Sequence, residues 1–96
     1  MEIRNIRHKG LKNLLLRNSR RGLPSESVAK IIDIVSYLIE MEEIEDIFAL
    51  RKYKPHRLNG DRGGFYSLHV SANWRITFGY DEPENEIIDL DYEDYH

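Results

Sequence analysis

The residues best suited to chemistry are concentrated in residues 54–80, which read KPHRLNGDRGGFYSLHVSANWRITFGY. This segment carries two imidazoles and several guanidinium groups, among them His56, Arg57, His69 and Arg75. Histidine titrates near pH ~6.5 and can act as an acid or a base. Arginine presents a planar fork of hydrogen-bond donors. A segment with these groups can support chemistry if the fold brings them together.

The same segment predicts a β-hairpin that would position these groups. Apolar and polar residues alternate in two runs on either side of Ser71, Ala72 and Asn73, as in strands with one packed face. The residues predicted to face the core are Tyr66, Leu68 and Val70 in the first run, and Trp74, Ile76, Phe78 and Tyr80 in the second. His69 and Arg75 are then expected on the other face of the sheet, which we predict to be open.

The elements before the hairpin are predicted to be a short strand and two helices. Residues 2–6 are a possible strand, and leucines at helical spacing predict a helix over residues 8–18. The spacing of Val28, Ile31, Ile32, Val35, Leu38 and Ile39 predicts a longer helix that opens at Pro24. The acidic run that begins at Glu40 would oppose the helix dipole, so the helix is expected to end near Met41 and residues 42–50 to form a separate turn.

Strands are predicted to follow over residues 51–58, through the hairpin, and over residues 86–90. The predicted architecture is therefore α+β: an N-terminal strand, two helices, then three to four mostly antiparallel strands. Helices segregated onto one face of such a sheet make a two-layer sandwich. A chain of 96 residues is expected to form one domain, spanning residues 1–96.

Composition narrows the functional classes. The chain has no cysteine, no apolar run of membrane-spanning length and no apolar leader, so we expect a cytoplasmic protein without thiolate metal sites. The net charge of −3 hides strong segregation. Residues 1–22 and 51–80 are net basic, whereas residues 23–50 and 81–96 are net acidic. Because polyanion binding depends on where positive charge lies, an acidic total does not exclude a nucleic-acid partner.

With these residues laid out, the sequence resembles the HigB toxins, members of the RelE superfamily in bacterial toxin–antitoxin systems. The resemblance covers nearly the whole chain. It is carried by HKGL at residues 8–11, the basic segment around His56, LNGDR at 58–62, ANWRITF at 72–78 and YEDYH at 92–96.

The resemblance implies a RelE-like fold and a toxin that cleaves messenger RNA while it is translated on the ribosome. It also implies a helix-turn-helix antitoxin of HigA type, through which alone the toxin would contact operator DNA, and no cofactor. Carried over residue by residue, the catalytic group comprises His56, Arg75, Asp94, Tyr95 and His96.

Two positions depart from the family pattern. Asn59 stands where the family commonly has lysine, and asparagine cannot supply that cation. Arg57 replaces a frequent proline and restores positive charge at a shifted place. The residues expected to contact RNA are Lys52, Lys54, Arg57, Asn59 and Arg62, with the Arg20–Arg21 pair as further candidates for phosphate contacts.

Metal-free RNA cleavage activates a ribose 2′-OH against the neighbouring phosphate. It needs a base, a cation for the phosphorane charge and an acid for the departing oxygen. We expect His56 and His96 to share the acid and base roles, in either order, and Arg75 to stabilise the phosphorane. Tyr95 would orient the substrate or take part in proton transfer, and Asp94 would orient His96 or Tyr95.

Three alternative functions are compatible with parts of the sequence. The chain can be a non-cleaving binding module, including one that inhibits DNA gyrase, although gyrase-directed relatives lack the His and Tyr-His groups. It can be a regulatory protein that acts on operator DNA only together with its partner, to which DNA reading would fall because the sequence has no helix-turn-helix signal. Metal-dependent hydrolysis through Asp89, Asp91 and Asp94 is disfavoured because no histidine stands at ligand spacing from them. His8 and His69 are given no catalytic role by the resemblance.

Overall fold

The computed structural model of the chain describes residues 1–94. Within these residues it has two α-helices, α1 (Lys9–Arg17) and α2 (Val28–Glu40), neither long and apolar enough to cross a membrane. The five strands are β1 (Glu2–Ile3), β2 (His56–Arg57), β3 (Phe65–His69), β4 (Trp74–Asp81) and β5 (Glu86–Asp94). This order confirms the predicted α+β architecture.

Helix α1 occupies the predicted segment, and His8 caps its start. The His8 Nδ1 accepts a hydrogen bond of 3.2 Å from the backbone N–H of Leu11. At the other end Asn18 adopts a left-handed conformation with φ 53°, a common helix ending. The His8 ring also packs edge to face on Tyr92, with centroids 5.5 Å apart. His8 therefore has a structural role.

Helix α2 begins at Val28, later than predicted from Pro24. The N–H of Ser27 bonds to the Pro24 carbonyl over 2.9 Å, so residues 24–27 form a turn that precedes the helix. The predicted apolar stripe was also partly wrong, because Ile34 is fully buried whereas Ile32 and Ile39 are exposed. Helical spacing alone could not show that Ile31, and not the adjacent Ile32, faces the core.

The end of α2 agrees with the prediction. The helix stops at Glu40, and a separate 3-10 helix, Ile44–Ala49, follows. Glu43 and Asp46 form a capping box at the start of that helix, in which each side chain accepts from a backbone N–H. The acidic run is therefore placed at a helix N-terminus, where negative charge is favourable.

The predicted strand over residues 51–58 was wrong. Arg51–Tyr53 is a 3-10 helix, and only His56–Arg57 is extended as β2. The Tyr53 hydroxyl donates a 2.6 Å hydrogen bond to Asp33 on α2, which holds this turn against the helix. Lys54 then adopts a left-handed conformation with φ 49°, which interrupts the extended run.

The sheet has the order β1-β5-β4-β3-β2. Strands β1 and β5 are parallel, and the other three pairs are antiparallel. The predicted first strand, residues 2–6, is reduced to β1 and an isolated bridge between Ile6 and Leu90. The sheet therefore places a late strand, β5, between the first strand and β4.

One face of the sheet packs against α1 and α2 in a single core. In register, Tyr66 lies opposite Phe78, with the rings stacked at 5.5 Å, and Ile76 lies opposite Tyr92. The core residues with no exposed surface are Leu11, Ile31, Ile34, Leu38, Ile47, Leu68, Ile76, Phe78, Ile87 and Leu90. The residues of the predicted packed face thus meet the helices as expected.

The opposite face is less open than predicted. Thr77 and Ser67 are fully buried, and Arg75 is only 9% exposed. The Arg62 guanidinium lies 5.4 Å from the Phe65 ring centroid on β3 and also bonds a carboxylate on β5, so it spans the middle strand. The centre of this face is therefore covered by a side chain from the loop after β2.

Strand β5 is longer than the predicted residues 86–90, because it continues to Asp94. The added residues pair with β4, with Tyr92 opposite Ile76 and Asp94 opposite Trp74. The pairing is irregular between Thr77 and Gly79, where Asp89 has φ 52°. This extension brings the acidic end of the chain alongside Arg75.

Candidate active site

The candidate site lies on the sheet face away from the helices. Strand register places two rows of polar residues side by side on it. In one row His56 lies opposite Ser67, Ser67 opposite Thr77, and Thr77 opposite Asp91. In the other row His69 lies opposite Arg75, and Arg75 opposite Glu93. We call these seven residues the polar face: His56, Ser67, His69, Arg75, Thr77, Asp91 and Glu93.

His56 is exposed at the start of β2. Its Nδ1 lies 3.1 Å from the Lys54 carbonyl oxygen, an interaction that restrains the ring orientation. The left-handed turn at Lys54 directs the chain into β2 and thereby sets where the imidazole lies. His56 is thus held at the edge of the sheet and remains accessible to a substrate.

His69 is half-buried beside His56. The two rings meet edge to face, with centroids 5.9 Å apart. Burial and the positive charges of Arg75, His56 and Lys54 lower the pKa of His69 below 6.5, because each disfavours the protonated ring. His69 therefore favours its neutral form in the folded protein.

Arg75 is held by the turn between β3 and β4. Its Nη1 donates to the carbonyl oxygens of Ser71, Ala72 and Trp74 over 3.0, 3.2 and 3.2 Å. These contacts fix the guanidinium near the polar face with little need for reorganisation. A cation fixed in this way can stabilise charge that develops on a phosphate.

A second arginine, Arg62, is paired with Glu93. Arg62 Nη1 bonds Glu93 Oε1 over 3.1 Å and Nη2 bonds Oε2 over 2.7 Å, in a two-pronged arrangement. The buried Thr77 hydroxyl donates to the same Oε2. Hydrogen bonds from Arg62 and Thr77 lower the pKa of Glu93, so the carboxylate is ionised.

Of the three predicted catalytic residues at the end of the sequence, only Asp94 lies within the described residues. Asp94 is exposed at the end of β5, directly opposite Trp74 and adjacent in sequence to Glu93. Tyr95 and His96 lie outside the described residues. The structure thus places His56, Arg75 and Asp94 on β2, β4 and β5 of one sheet, but Asp94 pairs with Trp74 of the packed face, so only His56 and Arg75 lie on the polar face.

The predicted RNA contacts lie near the polar face but differ in their surroundings. Lys54, Arg57 and Asn59 are exposed, and the Arg57 guanidinium lies 5.6 Å from the Tyr66 ring centroid. Lys52 is 73% exposed and has its Nζ 3.7 Å from the Asp33 carboxylate. Whether these residues contact RNA stays a prediction.

Three lysines border a surface cleft of about 440 Å³ that adjoins His69. Lys30 contributes from α2 and donates to the Val70 carbonyl over 3.4 Å, while Lys52 and Lys54 contribute from the loop before β2. The buried Tyr53 ring forms part of the wall, and its bond to Asp33 together with burial raises the pKa of Tyr53 to about 12. The cleft is therefore a basic extension of the polar face.

The Arg20–Arg21 pair is not brought to this region. Arg21 lines a different cleft of about 550 Å³, together with His8, Lys9 and Gly22. That cleft includes no residue of the polar face. Its contribution to phosphate binding stays a prediction.

Within residues 1–94, no group of three or more histidine, aspartate or glutamate side chains could hold a metal ion. Asp89 in particular is engaged with Asn5, whose side-chain amide donates to Asp89 Oδ1 over 2.8 Å. Asp91 accepts from the backbone N–H of Tyr92 over 2.9 Å. These carboxylates serve local structure.

Sequence reasoning missed Thr77 and Glu93 as members of the site, and it named His69 without giving it a catalytic role. His69 was visible, since it alternates with the core residues of β3, but the family resemblance assigned it no role. Thr77 and Glu93 gave no signal, because a threonine in a strand and a glutamate in an acidic run are both common surface residues. Their importance comes from pairing across strands.

Comparison with known proteins identifies the class. A family model described as HigB-like toxin, the RelE-like toxin of the type II toxin-antitoxin system HigB, matches residues 4–96. The chain therefore belongs to the RelE-like toxins of type II toxin–antitoxin systems. Within that class it is a HigB-like toxin, and the expected RelE-like fold is confirmed.

A curated relative, Endoribonuclease HigB from Proteus vulgaris, is 40% identical over 94 residues, covering 98% of this chain and 99% of that protein. Among solved structures, the YoeB/ParE toxin from Agrobacterium tumefaciens aligns with TM-score 0.49 and 16% identity over 100% of this chain and 99% of that one. The conserved hypothetical protein HP0894 from Helicobacter pylori gives TM-score 0.47 and 16% identity over 97% and 96% of the two chains. Membership of a type II system implies that this chain has an antitoxin partner.

Proposed function

We propose that this toxin is an endoribonuclease that cleaves messenger RNA on the translating ribosome and thereby inhibits translation. The observation that carries the proposal is the strand register that puts His56, His69 and Arg75 on one face, next to the strand that ends in Asp94. The near full-length similarity to a relative named as an endoribonuclease supports the same activity.

The proposed reaction is an attack of the ribose 2′-OH on the adjacent phosphate, without a metal ion. A base removes the hydroxyl proton as the new O–P bond forms. The bond to the 5′-oxygen breaks, and an acid protonates that oxygen as it leaves. The products are a 2′,3′-cyclic phosphate and a free 5′-OH, so atoms and charge balance without a cofactor.

In this scheme His56 and His96 share the acid and base roles. His56 is suited to proton transfer because it is exposed and its ring is restrained through the Lys54 carbonyl. Arg75 stabilises the phosphorane, since its guanidinium is already ordered by three carbonyl contacts before substrate binds. Tyr95 orients the substrate or transfers a proton, and Asp94 orients His96 or Tyr95.

The RNA backbone is proposed to follow the basic surface beside the polar face. Lys52, Lys54 and Arg57 flank His56 in the sequence and are all exposed, the two lysines before β2 and Arg57 within it. Asn59, which follows them, contacts RNA as an uncharged group. The positive charges of Arg75 and Lys54 lie close enough to His69 to lower its pKa. The same positive charges favour a phosphate group on this path.

The proposed partners follow from this activity. The toxin acts on messenger RNA bound to the ribosome, in the cytoplasm. It is neutralised by an antitoxin of the helix-turn-helix, HigA type, and it reaches operator DNA only through that antitoxin. The acidic residues over 23–50 and 81–96 disfavour direct binding of nucleic acid to the surface that they form.

The proposal is tested with purified toxin, translating ribosomes and a defined message. Cleavage is expected on ribosome-bound message and absent on free RNA, with product ends that carry a 2′,3′-cyclic phosphate. A message with a 2′-deoxy nucleotide at the mapped cleavage site should resist cleavage, because the nucleophile is gone. Cleavage of that 2′-deoxy message would contradict the proposed reaction.

Variants of the proposed catalytic groups complete the test. His56→Ala, Arg75→Ala and His96→Ala are each expected to lower single-turnover cleavage by about 10²-fold or more. Each variant must show the same far-ultraviolet spectrum and unfolding transition as the parent protein. A variant that keeps full activity removes that residue from the mechanism.

The alternative is a toxin that binds its target without cleavage, including one that inhibits DNA gyrase. Intact message on ribosomes, together with a loss of DNA supercoiling by gyrase, would establish that alternative and contradict our proposal. Intact message together with translational arrest would instead indicate a non-cleaving ribosome binder.

A further inference from the structure

Glu93 is the most connected acidic residue of the polar face. Its two carboxylate oxygens receive the two Arg62 bonds of 3.1 and 2.7 Å, and one of them also receives the hydroxyl of the fully buried Thr77. Paired, charge-assisted bonds of this kind fix a side chain in both distance and orientation. The Glu93 carboxylate is therefore a rigid junction between β5, β4 and the loop after β2.

The place of this junction in β5 is significant. The N-terminal part of β5 is supported on both sides, because Glu86 and Ile87 pair with β1 and Leu90 bridges to Ile6. Among the described residues, the strand pairs of 91–94 are all with β4. On the packed face the buried Tyr92 supports the end of the strand, and on the polar face the side-chain contacts of Glu93 support it.

We propose that Glu93, with Arg62 and Thr77, is a positioning residue for catalysis. It fixes the end of β5 opposite Arg75, and with it the point from which the chain continues to the proposed catalytic residues Tyr95 and His96. This inference rests on the proposed function. It assigns to Arg62 a role inside the protein, since its charge is matched by Glu93, in place of the direct RNA contact expected from sequence.

A double-mutant cycle of Arg62→Gln and Glu93→Gln distinguishes positioning from RNA contact. Each single variant is expected to lower kcat on ribosomes by about 10- to 100-fold with little change in KM, because small misplacements of catalytic groups have effects of this size. The double variant is expected to be no worse than either single variant, because both break the same pair. If Arg62 contacted RNA instead, Arg62→Gln would raise KM and the two effects would multiply, which would overturn the inference.

A matched control exists at the other end of the same strand. Arg4 bonds Glu86 over 2.8 Å and also bonds Asp81, so it too joins β5 to its neighbours, but outside the polar face. Arg4→Gln is expected to leave kcat unchanged, whatever it does to stability. A loss of kcat in Arg4→Gln equal to that in Arg62→Gln would also overturn the inference, because any support of β5 would then suffice.

A milder pair of variants covers the case in which Glu93→Gln does not fold. Thr77→Val keeps the shape of a fully buried side chain but removes the donor to Glu93, and it is expected to lower kcat by about 3- to 10-fold, the loss of one hydrogen bond. Thr77→Ser is its control, since serine keeps the hydroxyl that donates to Glu93. Equal kcat values in the two variants would contradict the assignment.

Amide hydrogen exchange gives a readout that does not depend on cleavage. Thr77→Val and Arg62→Gln should speed exchange in residues 91–94 by at least about tenfold and leave residues 86–88 unchanged. Uniform or unchanged exchange would overturn the positioning role even if the wild-type protein proved inactive. If the wild-type protein were inactive but showed the expected exchange pattern, the proposed function would be contradicted. The role of Glu93, Arg62 and Thr77 in holding the end of β5 would still be established.

Discussion

Arg75 lies directly opposite His69 across the β3–β4 pair, and its charge helps to keep the His69 ring neutral. Arg75 itself is held by three carbonyl oxygens of the adjoining turn, so it cannot move away when His69 gains a proton. The fixed positive charge of Arg75 therefore opposes protonation of the His69 ring in the folded protein. This opposition lowers the stability of the protein as the pH falls.

The free energy of unfolding is expected to fall as the pH drops through about 6.5, the ordinary pKa of histidine. The pKa of His69 is lowered in the folded state, so the unfolded chain binds the proton more readily and gains stability first. The loss levels off once the pH is below the folded pKa. His69→Asn removes the contribution of His69 protonation. Urea titrations between pH 8 and 5 should therefore show that the free energy of unfolding depends less steeply on pH in the variant. Parallel curves for the two proteins would show that His69 does not titrate as its surroundings indicate.

Replacing Tyr53 should show how firmly the loop before β2 is tied to α2. Tyr53→Phe removes the donor of the 2.6 Å bond to the Asp33 carboxylate, and bonds to charged groups typically contribute about 1.5–3 kcal/mol. We expect a loss of that order in urea unfolding. Tyr80→Phe is the control, because its 2.6 Å bond to the Asn85 amide is exposed to solvent and should contribute less than about 1 kcal/mol. Equal losses would mean that the Tyr53 bond is no stronger than a surface one.

A methyl group at Gly10 tests the packing of α1. In an exposed helix, Gly→Ala would be stabilising by about 1 kcal/mol. At Gly10 the new Cβ would lie 2.6 Å from the Gly22 carbonyl oxygen, and that backbone cannot move aside easily. Gly10→Ala is therefore expected to destabilise by about 1–3 kcal/mol in urea unfolding. Lys12→Ala on the exposed side of the helix should be near neutral, and stabilisation by Gly10→Ala would refute the close approach.

A substitution at Asn59 is expected to strengthen ribosome binding. Asn59→Lys restores the cation common in the family at an exposed position beside β2. Ribosome binding is expected to strengthen, and the slope of log affinity against log salt to steepen by about 0.7–0.9, as for one added phosphate contact. Ser36→Lys adds the same charge on the exposed surface of α2 and should change neither. An identical salt slope for Asn59→Lys and the parent protein would place residue 59 outside the RNA interface.

Sequence patterns were sufficient for the hairpin and for α1. Alternation over residues 65–80 placed Leu68, Ile76 and Phe78 against the helices, and helical leucine spacing marked α1. These are local signals with the period of one element. They failed where a tertiary contact decided the backbone, as at Tyr53, whose bond to α2 favours a 3-10 turn over the expected strand.

The candidate site was predictable in part for a different reason. The resemblance named His56, Arg75 and Asp94 through motifs, and the structure puts all three in one sheet, on β2, β4 and β5. It could not reveal that Arg62 pairs with Glu93, because such a contact depends on register between strands distant in sequence. Acidic residues at the end of a chain ordinarily indicate a solvated tail, and only pairing with β4 makes them part of a sheet.

The position of β5 between β1 and β4 also affects the order in which the candidate site can form during synthesis. It is the last of the five strands to be synthesised, yet Glu2 of the first strand pairs with Glu86. The growing chain therefore holds β1 without its neighbour until almost all of the described sequence has been made, and such distant pairings form slowly. Until β5 is inserted beside β4, Glu93 cannot lie opposite Arg75, and Asp94 cannot lie opposite Trp74. The last part of the candidate site to be made is therefore the segment of β5 that pairs with β4 beside Arg75.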